Sequence, residues 1–363
     1  MMGEEAHDVG VSLAVLAQSS DDSATSRVDH VMLGAADDPV ALRRLAREVD
    51  VVTFDHELVD LEVLATLESE GVILRPSASA LAYSVDKARQ RESFARAGFP
   101  VPAHAVIRRD EDLAVLAGWS QRYGGPPVLK AARGGYDGRG VLFPTDDREA
   151  LVTARDLLRH GDVVAEERVE LRRELAQLVV RGVRGDLVVY PLVTTVQSAG
   201  MCSEVHFPAE VDDATREVAR EVATRVAEHI DLVGVMAVEF FDTPRELLIN
   251  ELALRPHNSG HWTIEGTHTS QFANHLRAVS GRELGSSDPL APCAVMVNVV
   301  GGDAPGSLDD AQLVEGVAVH DYGKAWRPGR KLGHVTSVGD DAHAVHVRAW
   351  TSARAYGTSA REA

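Results

Sequence analysis

Cysteines, aromatic residues and long apolar runs are all scarce in this sequence, and each scarcity excludes a class of protein. Cys202 and Cys293 are the two cysteines among 363 residues, too few for a disulfide framework, and they fit a reducing compartment. Aromatic residues make up 5%, which disfavours a stacking surface for single-stranded nucleic acid. No apolar run reaches the ~18 residues that cross a bilayer, and residues 1–8 lack the features of a signal peptide. We therefore expect a cytoplasmic protein with no membrane partner.

Positive charge is also in short supply. The chain has 37 Lys and Arg against 55 Asp and Glu, a formal net charge of −18. A general DNA or RNA binder needs a basic surface that releases counterions, so we expect no nucleic-acid partner. This charge is still compatible with a local basic pocket for a small anion. The length corresponds to about two and a half domains as a first expectation.

The first 85 residues alternate between apolar runs and helical patterns. Residues 11–16, 51–54 and 72–74 predict strands. Helices are predicted from Pro39, with Asp38 as its N-cap, and over residues 60–70. This alternation predicts a Rossmann-like parallel sheet, but a helix-like stub over residues 1–8 stands where such a domain normally opens with a strand and a glycine-rich turn.

Two further regions follow, and we place the domain boundaries at 1–85, 86–280 and 281–363. The second region predicts helices over 86–97 and 214–229, strands over 127–132, 163–167, 175–180 and 187–192, and a hairpin from 235–241 and 246–251. The third predicts short strands over 294–300, 317–320 and 334–338. His343 and His346 are predicted to lie on opposite faces of a further strand, as structural residues.

Lys130 ends a predicted strand and precedes the glycine-rich run Gly134-Gly135-Tyr136-Asp137-Gly138-Arg139-Gly140. Glycine backbone amides can approach phosphate oxygens closely, and a lysine can add a point charge. The run matches neither a Walker A loop nor the dinucleotide fingerprint, which excludes a dehydrogenase. A surface turn is the alternative, and the run alone leaves both interpretations open.

Glu239 and Glu251 each interrupt an apolar strand of the predicted hairpin. Unpaired carboxylates are rarely buried, and these two could face each other on adjacent strands. Together with phosphate oxygens and the amide oxygen of Asn250 they would form an all-oxygen Mg²⁺ site. The alternative is that each carboxylate pairs with a nearby Arg or Lys.

The segment after Glu251 is rich in polar donors, from Arg255 and His257 to Ser259 and His261. No glycine elbow surrounds Ser259, and the histidines lack a second ligand pair at zinc spacing. An anion- or substrate-binding loop fits its Arg and His, and a satisfied polar loop is the alternative.

A basic turn over residues 324–331 holds four cations, Lys324, Arg327, Arg330 and Lys331. We expect a surface turn unless it folds back toward the glycine-rich run, in which case it would bind phosphate. Glu166 and Glu167 end an apolar strand, and Glu174 comes further on. All three fit either a charged surface or the hinge of a nucleotide site.

Taken in order, these segments resemble the ATP-grasp superfamily and, within it, the N5-carboxyaminoimidazole ribonucleotide synthases. The resemblance covers residues from about 4 to 350 and is carried by Lys130 with 134–140, by Glu239, and by 250–262, 270–278 and 328–334. It implies an ATP-grasp fold of mixed α/β and α+β class. An N-terminal Rossmann-like (pre-ATP-grasp) domain and a small C-terminal β-rich domain would flank it.

The resemblance also implies an activity. ATP, 5-aminoimidazole ribonucleotide and bicarbonate would give ADP, phosphate and N5-carboxyaminoimidazole ribonucleotide through carboxyphosphate, a step of de novo purine biosynthesis. Two Mg²⁺ ions would assist, with Mn²⁺ as an alternative. The family further implies a homodimer whose product passes to the mutase of the same pathway. The alternatives are another ATP-grasp ligase, such as a formate-dependent glycinamide ribonucleotide transformylase, and a non-catalytic nucleotide-binding fragment.

Site residues carry over from the family position by position. Lys130 matches the phosphate-contacting lysine, Lys87 stands where relatives usually have an arginine near ATP, and Gln197 stands where they often have a histidine. Glu239 and Glu251 match the metal carboxylates, Asn250 lies beside them at the nucleotide, and Glu174 matches the ribose carboxylate. The lid over the phosphates corresponds to Gly135, Tyr136, Asp137, Gly138, Arg139, Gly140 and Val141, and the adenine hinge to Glu166, Glu167, Arg168 and Val169. The ribonucleotide and bicarbonate site corresponds to Tyr136, Asp137, Arg139, Arg255, His257, Lys324 and Arg330.

The beginning of the sequence departs from the family pattern. Relatives open with a strand and a Gly-Gly-Gly-Gln-Leu-type loop, whereas residues 1–6 resemble the middle of the helix that follows that loop. We therefore expect a first domain lacking its first strand, with roughly 15 to 20 residues encoded upstream, from typical strand and helix lengths.

Overall fold

A computed structural model describes residues 1–135, 140–198 and 200–359. The N-terminal elements, in chain order, are α1 (Met2–Val9), β1 (Ala14–Ala17), β2 (His30–Leu33), α2 (Pro39–Ala46), α3 (Leu61–Ser69) and α4 (Ala78–Val85). A polar side chain starts α2 as predicted, because Asp38 accepts a hydrogen bond from the Val40 backbone N–H. Asp60 caps α3 in the same way.

Parallel pairing in this region is confirmed but short. β1 and β2 pair in parallel from Ala14↔His30 to Ala17↔Leu33. The predicted strands at 51–54 and 72–74 are wrong in extent, because they meet in the single parallel bridge Val52↔Leu74. Arg75 donates its backbone N–H to Val52, and Pro76, which follows, has no N–H with which to continue the ladder.

A four-stranded antiparallel sheet follows, in the order β3-β6-β4-β5. Its elements are α5 (Lys87–Arg96), β3 (His104–Ile107), α6 (Trp119–Tyr123), β4 (Val128–Ala131), β5 (Val141–Leu142), α7 (Asp147–Leu158) and β6 (Val163–Glu166). Trp119, Leu129 and Ala150 meet in the core between this sheet and α7. Lys130 lies opposite Val164 on β6 and Val141 on β5, so the sheet holds both the lysine and the strand after the glycine-rich run.

A second, larger sheet forms most of the remaining structure. Its first elements are β7 (Arg173–Arg181), β8 (Leu187–Val189), β9 (Val193–Ser198), β10 (Met201–Phe207), α8 (Asp213–His229), β11 (Gly234–Asp242) and β12 (Leu247–Ala253). Short helices then follow at α9 (Thr263–Gly266) and α10 (Gln271–Val279). The helix α8 buries Val222, Val226 and neighbouring alanines in the main core. The helix α1 packs on α10 through Ala6, Val9 and Leu276.

The C-terminal strands extend this same sheet. They are β13 (Cys293–Val300), β14 (Val317–Asp321) and β15 (Lys331–Gly339), with α11 (Leu308–Gln312) and α12 (Ala342–Ala355). The strand order over the described residues is β12-β11-β7-β9-β10-β13-β15-β14, with β8 on β7. The joint is the antiparallel pair β10–β13, from Glu204↔Val297 to Phe207↔Ala294.

The strand predicted around His343 and His346 is wrong, because both histidines lie on α12. Asp341 caps that helix by accepting from the Ala344 N–H. Val345, Ala349 and Ala353, spaced four apart, are fully buried against β13 and β15, which is the spacing of one helix face. None of the helices among the described residues is long and apolar enough to cross a membrane.

Candidate active site

The hairpin of β11 and β12 places two carboxylates side by side. Glu239 and Glu251 are register partners across the antiparallel pair, so the prediction that they face each other is confirmed. Lys87, at the start of α5, donates from Nζ to Glu251 Oε1 at 2.6 Å. Glu251 thus has the lysine partner that the alternative interpretation expected, whereas Glu239 Oε1 lies 3.4 Å from Nε2 of His257.

Negative charge converges at Glu239. Burial raises its pKa, and the charges of Glu251 and Glu174 raise it further, from an ordinary 4.5 to about 8. The side chain is nevertheless 22% exposed, so a ligand can reach it. A divalent cation would offset this repulsion, and carboxylate oxygens are the ligands that Mg²⁺ prefers. The carboxylates therefore fit the predicted ion.

Lys130 is buried in an ionic network behind these carboxylates. Its Nζ lies 2.7 Å from Glu166 Oε2, and it donates to Asn250 Oδ1 at 3.4 Å. Arg91 donates from Nε to the other Glu166 oxygen at 2.7 Å. Burial alone would raise the pKa of Glu166, but the charges of Arg91 and Lys130 lower it to about 2. Glu166 is therefore a carboxylate that holds the lysine in place.

Arg91 is a site residue that sequence reasoning missed. It is 1% exposed, and it also donates to the backbone oxygen of Asn250 at 2.6 Å. It follows Lys87 by four positions on α5, so the two cations lie on one helix face. That spacing was the signal available in the sequence.

The predicted adenine hinge lies at the end of β6. Glu167 accepts the Ala103 N–H at 2.9 Å and donates its own N–H to Ala103 at 2.8 Å. The Arg168 guanidinium lies over the Phe143 ring at 5.2 Å, and Val169 is half-buried. The Glu167 carboxylate is thus already hydrogen-bonded to a backbone N–H, that of Ala103.

Glu174 and Gln197 lie together on neighbouring strands. Burial raises the pKa of Glu174, and a hydrogen bond to Gln197 opposes this. Glu174 is opposite Thr195 on β9, so Gln197 is its diagonal neighbour on the same face. Glu174, the predicted ribose carboxylate, and Gln197, the predicted nucleotide contact, are therefore adjacent on one face of the sheet.

The polar loop after β12 is held from two directions. Arg255 donates from Nε to Glu57 Oε2 at 2.7 Å, which ties the loop to the N-terminal region. Gln271 accepts the His257 N–H at 2.8 Å and donates to the His257 carbonyl at 2.7 Å. Glu57 and Gln271 were missed as site residues, because neither lies near the loop in the sequence.

His257 is oriented toward Glu239. Its Nδ1 accepts the Ser259 backbone N–H, which leaves the ring proton on Nε2, facing the carboxylate. Burial and then the charge of Arg255 hold its pKa well below its usual range, so the imidazole is neutral. Ser259 Oγ lies 2.8 Å from Nδ1, and this contact serves the orientation of His257.

The basic turn lies near this loop. The charge of Lys331 contributes to the lowered pKa of His257. Burial, followed by the charges of Arg330 and Lys331, lowers the pKa of Lys324, whose Nζ lies 5.5 Å from the Tyr322 ring centroid. Arg330 donates to the Ala325 carbonyl at 3.3 Å. The turn therefore gathers cations beside the polar loop.

The central residues of the glycine-rich run, Tyr136, Asp137, Gly138 and Arg139, lie outside the described residues. Gly135 and Val141 flank them. Gly140 has φ 77°, a conformation that L side chains rarely adopt, and its carbonyl accepts the Ala131 N–H at 2.9 Å. The glycine-rich run therefore begins just after β4, and Gly140, at its end, is hydrogen-bonded to β4 next to Lys130.

Comparison with known proteins covers each region of the chain. The ribonucleotide synthetase pre-ATP-grasp domain matches residues 1–84, the ATP-grasp domain matches 92–272, and the phosphoribosylaminoimidazole carboxylase C-terminal domain matches 294–348. The predicted fold class, in which an ATP-grasp domain lies between these two regions, is confirmed.

Individual relatives agree with these domain matches. The N5-carboxyaminoimidazole ribonucleotide synthase of Mycobacterium bovis is 44% identical over 96% of this chain and 83% of its own length. The Thermus thermophilus N5-carboxyaminoimidazole ribonucleotide synthetase superposes with a TM-score of 0.88 at 36% identity, covering 100% of this chain and 97% of that one. An Aspergillus clavatus synthase in complex with ADP and 5-aminoimidazole ribonucleotide gives 0.86 at 31% identity, over 98% and 95%. The chain therefore belongs to the N5-carboxyaminoimidazole ribonucleotide synthases, a family of ATP-grasp ligases.

Proposed function

We propose that this chain carboxylates 5-aminoimidazole ribonucleotide with bicarbonate at the expense of ATP, and releases ADP, phosphate and N5-carboxyaminoimidazole ribonucleotide. The observation that carries the proposal is the in-register pair Glu239 and Glu251, which stands between two lysines and the polar loop. Lys87 contacts Glu251 directly, and Lys130 approaches Asn250 on the same strand. This arrangement suits a nucleotide triphosphate whose charge is shared between lysines and divalent cations.

The nucleotide would occupy the space between the two sheets. Lys130 and Lys87 would neutralise phosphate oxygens, while Glu239, Glu251 and the Asn250 oxygen would hold up to two Mg²⁺ ions. Bound Mg²⁺ would supply charge neutralisation at the phosphates. Glu174 and Gln197 would meet the ribose, and the backbone of residues 166–169 would meet the base.

The ribonucleotide and bicarbonate would lie against the polar loop. Arg255, Lys324 and Arg330 would bind phosphate and bicarbonate oxygens as cations. The neutral imidazole of His257 would donate from Nε2 without adding positive charge. By the family resemblance, Tyr136, Asp137, Arg139 and the rest of segment 135–141 would lie over the phosphates.

The reaction proceeds by two transfers. A bicarbonate oxygen attacks the γ-phosphorus, and the bond to the ADP oxygen breaks, which gives carboxyphosphate. Carboxyphosphate then releases phosphate and CO₂, and the substrate amine forms the new C–N bond and loses a proton. Because both intermediates are lost to water or diffusion, positioning and the exclusion of solvent are the main contributions of the protein.

Steady-state ADP release tests this function. We expect release to require 5-aminoimidazole ribonucleotide and bicarbonate together with Mg²⁺ and ATP. Stimulation by formate with glycinamide ribonucleotide instead would indicate the transformylase alternative. Binding of ATP without substrate-stimulated release would indicate the non-catalytic alternative.

The remaining family traits are also proposals for this chain. They are a homodimer, transfer of the product to the pathway mutase, a cytoplasmic location, and domains at 1–85, 86–280 and 281–363. Light scattering of the purified chain tests the dimer, and a mass of about 39 kDa would contradict it.

A further inference from the structure

Three side chains with metal-ligating atoms meet between β10 and α12. Glu204 and His206 are two residues apart on β10 and therefore point to one side of the sheet. Val205, between them, points to the other side and packs with Trp262. His346 comes from α12, the helix that covers β13 and β15. None of the three has a role in the function proposed above.

The three ligand atoms are close enough to share one ion. Glu204 Oε2 lies 2.9 Å from His206 Nε2 and 3.1 Å from His346 Nε2. All three atoms lie within 4.8 Å of one another. Ligands bound to Zn²⁺ at about 2.0–2.2 Å are themselves roughly 3.3 Å apart in a tetrahedron. Small side-chain adjustments would therefore bring all three into coordination.

The donor set indicates the class of metal. Two imidazole nitrogens and one carboxylate oxygen suit zinc and similar late transition metals, whereas Mg²⁺ and Ca²⁺ prefer oxygen alone. Trp350, one turn beyond His346 on α12, hydrogen-bonds to the Glu204 carboxylate, as outer partners of metal-ligating carboxylates commonly do. His206 is 32% and His346 41% exposed, which gives an ion access and leaves a position for water.

We propose that Glu204, His206 and His346 bind one divalent transition-metal ion of the zinc class, and that this ion fastens α12 to β10. The site is separate from the carboxylates of the β11–β12 hairpin. Its role is to hold the C-terminal helix on the sheet, because its ligands come from elements that are far apart in sequence.

Zinc binding to the full chain, purified without a histidine tag and stripped with EDTA, tests the proposal. After dialysis against Zn²⁺ we expect one bound equivalent per chain and a rise in the thermal unfolding midpoint, because a ligand of the native state stabilises it. His206→Gln and His346→Gln should each weaken zinc binding at least tenfold and remove the rise. A glutamine amide can still donate to Glu204, so both variants keep the metal-free contact.

Two controls separate this site from others. His160→Gln changes an exposed histidine after α7, and this variant should still bind one equivalent of zinc per chain. The double variant Glu239→Gln, Glu251→Gln should also bind one equivalent of zinc, because this variant removes only the hairpin carboxylates. Retention of zinc by both His206→Gln and His346→Gln, or its loss from the double variant, would overturn the proposal. Should either glutamine variant unfold, visible absorption of the wild-type chain with Co²⁺ decides: tetrahedral bands support the site and their absence refutes it.

Discussion

The charge on Glu239 and Glu251 organises the residues around it. Lys87 on α5 pairs with Glu251, and the neutral imidazole of His257 in the polar loop faces Glu239. Lys130 on β4 donates to Asn250, which precedes Glu251 on β12. These groups come from segments that are far apart in the sequence and meet only in the folded chain. The site is therefore a balance of opposite charges, in which a loss on either side has a measurable effect.

Glu251→Gln should lower kcat for ADP release by roughly 100-fold or more, because losing several kcal/mol of cation-mediated stabilisation corresponds to two or more factors of ten. Excess Mg²⁺ should restore only part of the rate. The matched control is Glu246→Gln, an exposed carboxylate in the turn of the same hairpin, which should keep the wild-type rate. Equal activity of both variants would contradict the metal-ligand role.

Glu166→Gln should destabilise the protein by about 3–5 kcal/mol, because Arg91 and Lys130 would be left buried with one charge unpaired. Denaturant unfolding followed by circular dichroism measures the change. Glu170→Gln, at an exposed position, serves as control and should change the free energy of unfolding by less than about 0.5 kcal/mol. A similar small change for Glu166→Gln would show that the network contributes little.

Among the elements, α10 joins the large sheet to the N-terminal region through one buried histidine. His275 Nδ1 accepts the Val235 N–H of β11 at 3.1 Å, which leaves Nε2 to donate to Thr53 Oγ1 at 2.8 Å. Burial lowers the pKa of His275 from 6.5 to about 4. A Cβ at Gly234 would lie 3.1 Å from this ring, so the strand approaches the helix closely.

This histidine should make stability depend on pH. Below pH 6.5 the unfolded chain binds a proton that native His275 does not take up until about pH 4, so stability falls as pH drops through this window. The contribution is about 3 kcal/mol at most. Unfolding free energies at pH 7 and pH 5 should differ less in His275→Gln than in the wild type. Part of the slope should remain, because the pKa of His261 is lowered to about 3. An unchanged slope would contradict the prediction.

Element prediction from sequence was good for one long helix and one hairpin. The helix from residue 213 and the hairpin of β11 and β12 follow the predicted spacing within two residues. Prediction was wrong for 342–355, where apolar residues four apart were overlooked beside two histidines. It missed β2, whose four residues are largely exposed and therefore lack the alternating burial that marks a strand.

At the scale of the whole molecule, one sheet runs from the ATP-grasp strands into the C-terminal strands. Because β13 pairs with β10 over four residues and with β15 over its length, we expect residues 281–359 to unfold together with the large sheet. Native-state hydrogen exchange tests this: amides of β13 should share the opening free energy of β10 and β11. The short β1–β2 pair is the internal comparison and should open more readily. Much faster exchange of β13 than of β10 would show that the C-terminal strands unfold independently.

The candidate site was predictable where chemistry is contiguous in sequence. Glu239 and Glu251 were recognisable because a short turn fixes which hairpin residues face each other, and Lys130 because a strand end leads into a glycine-rich run. Glu57 and Gln271 were not, since each acts on residues at least 14 positions away. The spacing of Lys87 and Arg91 marked one helix face, but it did not show that Arg91 reaches Glu166. Which distant residues come into contact depends on tertiary packing, and a local sequence pattern does not predict it.

The family of this protein can be read from its sequence alone. The family resemblance rests on the order of four features along the chain: a lysine, a glycine-rich run, paired carboxylates and a polar loop. These features are recognisable without the structure because each is contiguous, or nearly so, in the sequence. How the charges of these groups are balanced depends on the packing of distant segments. In the folded chain Glu166 holds Lys130 by an ion pair, the His257 imidazole is neutral, and Glu204 contacts His206 and His346. Burial and neighbouring charges set the protonation state of a titratable group, and both arise only when distant segments pack together.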